Sequence, residues 1–299
     1  MTDKQLEYIV EIAVQGNVTR AAQALFVGQS ALSQVLAHVE KELGIQIFLR
    51  TPTALVPTPA GEMFLNSARK ILQIKQNTLN QLNEQKGICL QKIRVGMSQS
   101  RSWLFTPVIL PEFLQHHPNV NVELVEGTEA ELNHLLTNGK IDVMFTIFPY
   151  TNNNFVYQPL FKENIVLVLS KDHPIANNLS EPVEWSKLKD VPFILLCAGN
   201  NLRTISDQIM ASNQLNSRIL LESRSMDVCF QMAVSGLGAT LIPDTLSKGH
   251  RYKDRAVVFQ TGEQYSREIA IVTRKESYLP ETIREFIRVA SEKLEEVYQ

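Results

Sequence analysis

Residues 17–44, "NVTRAAQALFVGQSALSQVLAHVEKELG", place a short helix, a corner and a longer helix in succession, and no other stretch constrains the fold as tightly. Asn17 suits an N-cap, and Ala21, Ala22, Leu25 and Phe26 give the short helix its apolar face. Gly28 allows the corner. Leu32, Val35, Leu36, Val39 and Leu43 then recur at helical spacing until Gly44 stops the helix. The short helix cannot stand unless its neighbours pack on it, which is the economy of a helix-turn-helix unit. Another amphipathic helix precedes it, with Leu6, Ile9, Val10 and Ala13 on one stripe and Gly16 at its end.

The opposite face of the longer helix carries Ser30, Ser33, Gln34, Ala37, His38 and Lys41. Taken alone, such a face is an ordinary solvated surface. Gln and Ser, however, can hydrogen-bond base edges, and Gln matches the N6/N7 edge of adenine. Next comes "IQIFLRTPTALVPT", in which Ile45, Ile47 and Leu49 alternate and "TPTA" turns, so a two-stranded wing is expected. The chain has 299 residues, 44% hydrophobic and 20% charged, with a formal net charge of −2. Excess positive charge therefore cannot carry nucleic-acid binding here, which must rest on local arrangement.

The first sixty residues resemble the DNA-binding domain of the LysR-type transcriptional regulators. The landmarks occur in order: "TRAA" at 19–22, "QSALS" at 29–33, "VEKELG" at 39–44, "IFLR" at 47–50 and "TPAG" at 58–61. The resemblance implies double-stranded DNA as partner, with Gln29, Ser30, Ser33 and Gln34 at base edges. It implies phosphate contacts from Thr19, Arg20, Arg50 and Thr58, with His38 as an addition. Gly28 stands where Ser commonly caps the recognition helix, Ser30 where Pro is frequent and Gln34 where Arg is common. These departures bear on operator preference more than on docking, because phosphate contacts fix register and base contacts choose sequence.

From Thr58 the chain turns helical again, with Pro59 at the first helical position. Leu65, Ala68, Leu72, Lys75, Leu79 and Leu82 form a heptad-like seam in an otherwise polar helix. The helix either packs on its own domain or dimerises. Its length favours the second, and the family resemblance implies a homodimer through this linker helix, extending to a homotetramer, with RNA polymerase left open as a further partner.

After Gly87, apolar strands alternate with helical stretches: "KIRVGM" (92–97), "VNVELVEG" (120–127), "IDVMFTI" (141–147), "NIVLVLS" (164–170), "FILLC" (193–197), "RILLES" (218–223), "ATLIP" (239–243) and "EIAIVT" (268–273). The alternation predicts an α/β fold with largely parallel sheets. "NIVLVLS" would enter a second lobe and "EIAIVT" return to the first. This part is similar to the effector domain of LysR-type regulators, itself similar to periplasmic solute-binding proteins, on "GKIDVMF", "KDHPIA" and "AVSGLGATLIP". The expected fold is α/β with an N-terminal all-α winged helix-turn-helix and a C-terminal two-lobed periplasmic-binding-protein-like domain. Its expected divisions are 1–58 for the DNA-binding domain, 59–87 for the linker and 88–299 for the effector domain, with lobe I at 88–161 and 268–299 and lobe II at 162–267.

Ligands in open α/β sheets bind beyond strand carboxyl ends, where helix N-termini offer N–H groups. That rule selects Ser98, Gln99, Ser100, Arg101, Thr128, Thr146, Ile147, Phe148, Asn200, Asn201, Leu202, Arg203 and Thr204. Arg101 and Arg203 could each hold a carboxylate in a bidentate fork, which suggests a small organic acid as effector. No cofactor or metal is expected. Cys89, Cys197 and Cys229 are widely spaced without a ligand-like pattern and read as reduced thiols. A redox-sensing regulator and a solute receptor without a DNA role are the alternatives. There is no phosphate loop, GxSxG or HExxH, so an enzyme is not expected. The N-terminus lacks the uninterrupted apolar run of a secretory signal, and no stretch offers the roughly 20 apolar residues of a membrane span. A cytoplasmic protein is expected.

Overall fold

The computed structural model describes residues 1–51, 54–86, 92–148, 154–275 and 277–298. The first helix, α1 (Asp3–Gln15), opens with a capping box between Thr2 and Gln5 and closes at Gly16, φ +59. Asn17 caps α2 (Val18–Ala24), accepting from the Thr19 and Arg20 N–H groups at 2.8 and 3.2 Å. The longer α3 (Gln29–Leu43) ends at Gly44 in the left-handed region. Ile9, Ile12, Ala21, Leu32 and Val39 are fully buried where the three helices meet. The seven residues of α2 are thus held by packing rather than by intrinsic helix propensity.

The corner differs from the expected one. Gly28 sits at φ −67, an ordinary extended value, and the left-handed residue is Phe26 at φ 55. The reason is a Schellman closure of α2: the Val27 N–H returns to the Ala22 carbonyl and the Phe26 N–H to that of Gln23. That pairing puts Phe26, not Gly28, at the position glycine usually fills.

The wing consists of β1 (Phe48–Arg50) and β2 (Leu55–Pro57), paired antiparallel with Leu49 opposite Val56. Its tip, Pro52 and Thr53, lies outside the described residues. Thr58 then caps α4 (Pro59–Gln85). The predicted seam of this helix is divided. Leu65 and Ala68 are buried in the head's own core, Leu72 packs against it, and Lys75 reaches Asp3 of α1 at 2.9 Å. Leu79 and Leu82 are exposed, and Met63, Ile71 and Ile74 form an exposed row with Leu82, displaced about a third of a turn around the helix from the buried one.

The remaining elements are β3 (Lys92–Met97), α5 (Gln99–His116), β4 (Asn121–Glu126), α6 (Glu129–Thr137), β5 (Val143–Phe148), β6 (Phe155–Ser170), β7 (Phe193–Leu196), α7 (Asn201–Ser212), β8 (Ile219–Ser223), α8 (Met226–Met232), β9 (Thr240–Pro243), α9 (Asp244–Gly249), β10 (Ala256–Gln260), β11 (Ser266–Arg274) and α10 (Glu281–Tyr298). Strands run β10-β6-β11-β5-β3-β4, with β9 also on β6, while β7 and β8 form a separate pair. Parallel pairing joins β3 to β4 and β5, and β7 to β8, but β11 is antiparallel to both β5 and β6, and β9 and β10 are antiparallel to β6. The expectation of largely parallel sheets therefore fails at the crossovers. One long strand leaves the first lobe and another returns, so the two must run in opposite directions.

β6 is the pivot of this arrangement. Up to Asn164 it pairs with β11, and from Ile165 onward with β9 and β10. Its first half carries Pro159 at a register shift opposite Ile269 and Ala270. That bulge breaks the alternation and explains why the strand begins at Phe155, well before the apolar run "NIVLVLS". Phe105, Phe113, Phe145 and Phe161 share one buried cluster with Phe230, Ile242 and Leu246, so the lobes are joined by apolar packing behind the cleft.

Candidate nucleic-acid interface and effector cleft

Along α3, Gln29, Ser30, Gln34 and His38 are exposed, and so are Thr19 and Arg20 at the start of α2 and Arg50 on the wing. Ser33 is half-buried and engaged by Gln29, whose Nε2 donates to its hydroxyl at 3.1 Å. His38 approaches Glu42 at 3.8 Å. Glu40 ties α3 to the wing, its carboxylate accepting from the Ile47 and Phe48 N–H groups at 2.7 and 3.2 Å. Thr58 is a correction to the phosphate-contact set. Its hydroxyl donates to the Gln46 carbonyl at 2.7 Å and accepts from the Gly61 N–H at 2.8 Å, so its single proton is already spent on the cap.

In the effector domain, α5, α6, α7 and α8 all begin at one cavity of about 1100 Å³, open beyond the ends of β3, β4, β5, β7 and β8. Ser98, Gln99, Ser100, Arg101, Thr128, Thr146, Ile147, Asn200 and Asn201 line it together. Phe148, Leu202, Arg203 and Thr204 do not. Leu202 is buried in the lobe II core, Phe148 lies edge-on to Tyr157, and Thr204 bonds back to the Asn200 carbonyl. Arg203 is clamped by Asp207, by Glu222 and by the Leu196 carbonyl, which leaves no fork for a ligand carboxylate.

Arg101 has the opposite character. It is half-buried on the cavity wall with no hydrogen bond or ion pair to a described residue. Burial pushes its guanidinium down to about 10, with Glu163 and Glu129 partly opposing and Arg267 adding to the effect. It therefore remains a cation at neutral pH while lacking a counter-ion contact. Of the four helix starts, those of α6, α7 and α8 are capped by the side chains of Thr128, Asn200 and Ser225, whereas Ser98 makes no cap bond at α5. Its hydroxyl lies 3.2 Å from that of Ser100 instead.

Further residues line the same cavity without having been selected from the sequence: Trp103, Glu126, Glu129, Glu131, Arg224, Ser225, Asp227, His250, Arg251 and Arg267. Arg224 and Ser225 follow the end of β8, so the strand-end rule applied to "RILLES" would have found them. His250 and Arg267 had no such signal. The buried His250 holds Asp227 at 2.7 Å through Nε2, while its Nδ1 accepts the Tyr252 N–H at 3.0 Å. That pattern places the ring proton on Nε2. Cys229 is buried, and burial beside Cys197 pushes its thiol up to about 12. Cys89 lies outside the described residues. Among the described residues no group of His, Cys, Asp and Glu could hold a metal ion, and no helix is long and apolar enough to cross a membrane.

Residues 4–62 match the bacterial regulatory helix-turn-helix protein, lysR family, and residues 91–295 match the LysR substrate binding domain. The chain belongs to the LysR family. It is a DNA-binding transcriptional regulator with an effector-binding domain, not an enzyme. Among its relatives is the HTH-type transcriptional regulator YcgK of Bacillus subtilis, 26% identical across 100% of this chain and 96% of the relative. Another is the Hca operon transcriptional activator HcaR of Escherichia coli, 27% identical over 98% of each chain. Full-length OxyR from Pseudomonas aeruginosa has the same fold, with a TM-score of 0.71 at 24% identity over 97% of this chain and 94% of the other. So does the LysR-family protein CbnR, solved with its target DNA, with a TM-score of 0.58 at 20% identity over 98% and 100%.

Proposed function

We propose that this LysR-family regulator reads a two-fold operator through α3 and responds to a small carboxylate held at Arg101. The observation that carries the ligand reading is the pairing of an unpartnered Arg101 with the uncapped start of α5 in one cavity. A guanidinium and free N–H groups at a helix N-terminus both favour an anion, and together they offer a carboxylate a fork and a dipole. Gln99, Ser100 and Thr146 would orient the rest of the molecule.

On the DNA side, Gln29, Ser30, Ser33 and Gln34 form the base-reading group, and Thr19, Arg20, Arg50 and His38 contact the backbone. Few cations face the duplex, so affinity comes from pairing heads. The exposed row Met63, Ile71, Ile74 and Leu82 supports dimerisation through α4, with a tetramer as the larger assembly. The protein acts in the cytoplasm on this reading.

Gel-shift titration against the DNA upstream of the protein's own gene tests the first half. Sequence preference over random DNA with a shallow salt dependence is expected, and equal affinity for both would overturn it. Thermal-shift screening of small carboxylates tests the second half. A stabiliser should lose its effect in Arg101→Met and keep it in Arg203→Ala, and the reverse pattern would reject the assignment.

A further inference from the structure

The DNA-binding head is gripped by the turn that follows α6. Lys140 Nζ lies 2.6 Å from Glu11 Oε2 on α1, and the Glu11 side chain is only 6% exposed. The other Glu11 oxygen accepts from Gln15 at 2.9 Å. Beside this pair, Arg69 Nε on α4 donates to Asn138 Oδ1 at 2.8 Å. The turn itself is rigidly seated: Gly139 adopts φ +69 against the Arg274 guanidinium, which donates to the Leu136 and Ile141 carbonyls.

The other end of α6 opens into the effector cavity. Glu129 and Glu131 line it, and the Thr146 hydroxyl donates to Glu129 Oε1 at 2.7 Å. Between the two ends, Leu132 and Leu136 are buried against the neighbouring strands. A helix of nine residues spans only about 13 Å and moves as a unit when its apolar face is packed.

We infer that α6 is a strut through which the occupied cleft controls the head. A ligand that takes Thr146 or Glu129 away from the other shifts the start of α6, and the shift arrives at α1 and α4 through Lys140 and Asn138. The desolvated Glu11 makes the contact two-state: it is held with its cation or must return to water. The inference rests on the effector reading of the cavity and adds the route by which that cavity is heard.

The test is a double-mutant cycle on operator affinity, run on the full chain without ligand. Glu129→Gln alone should change affinity several-fold, and most of that change should be lost in a Lys140→Ala background and all of it when Asn138→Ala is added. If the two effects simply multiply, or if Glu129→Gln leaves affinity unchanged, the strut is rejected. Should Lys140→Ala unfold the head, the swapped pair Glu11→Lys with Lys140→Glu replaces it and should restore the Glu129 effect; failure to restore it in a folded swap also rejects the strut. Hydrogen exchange of the last turn of α1 reads the same coupling without DNA: Glu129→Gln should quicken it, and unchanged exchange overturns the inference. A wild-type chain that shows no sequence preference, yet gives the expected exchange result, would bring down the operator reading and leave the strut standing.

Discussion

Glu163 on β6 and Arg267 on β11 are register partners, and their side chains form a buried ion pair just where the chain passes between the lobes. The Thr245 hydroxyl donates to the second Glu163 oxygen at 2.8 Å, and Arg101 lies within electrostatic reach. Removing one partner of a buried pair leaves the other desolvated and unpaired, at a cost of about 3–5 kcal/mol. Glu163→Gln should approach that cost, because it leaves the buried Arg267 without its carboxylate and takes away a negative charge within electrostatic reach of Arg101. Arg267→Met should cost less, since Glu163 keeps Thr245 and the nearby Arg101. Combining Glu163→Met with Arg267→Leu should be milder than Glu163→Gln alone. Urea denaturation decides it, and strictly additive losses would show that the pair is not acting as a unit.

Gly61 closes the "TPAG" landmark for a steric reason. A Cβ at that position would lie 2.0 Å from the Ile47 carbonyl oxygen and 2.8 Å from its carbon, both backbone atoms that no side-chain motion can clear. Gly61→Ala must therefore push α4 away from the Ile47 backbone just before β1. A loss of roughly 2–3 kcal/mol is expected from such overpacking, together with weakened DNA binding. Melting of the variant followed by circular dichroism checks this, and an unchanged melting temperature would mean that the helix–strand approach is loose.

Phe26 offers a gain instead. It holds a left-handed backbone at 96% exposure, so its ring contributes little packing while its Cβ carries the steric penalty of that region. Phe26→Gly should stabilise the head by about 0.5–1 kcal/mol despite the added freedom of the unfolded chain. Chemical denaturation measures the change. Destabilisation would mean that the ring packs in solution more than its exposure indicates.

The head was legible in the sequence because its signals are local. Asn17, Gly16, Gly44 and Thr58 cap elements they adjoin, and the i, i+3, i+4 stripes of α1 and α3 are the faces that pack, except that Leu43 at the end of α3 is exposed. The cleft was legible as far as strand ends predict it. Ser98 to Arg101 and Thr128 entered the cavity by that rule, and Arg101 proved unpartnered. Arg203 failed because one of its clamps, Glu222, comes from a different strand and is invisible to local reading. Glu129, His250 and Arg267 were missed for the same reason: their roles depend on Thr146, Asp227 and Glu163, which only the fold brings near. The α4 seam misled because heptad spacing cannot say which neighbour covers it, and Leu65 and Ala68 turn toward their own head.

His134 lies on α6 within reach of the same head contact. Burial lowers its pKa from the ordinary 6.5, Arg69 lowers it further, and Glu11 opposes both. A histidine with a depressed folded-state pKa binds its proton less readily when folded than when unfolded. Its contribution is therefore fully present above the unfolded value and is lost as pH falls below it toward the folded value. Relative to His134→Gln, the wild-type melting temperature should drop as the solution is taken from about pH 7.5 to about pH 5.5, while titrating carboxylates affect both proteins alike. A difference between the two proteins that stays constant across that range would show that the imidazole is solvated in both states and that the turn after α6 does not seal against the head.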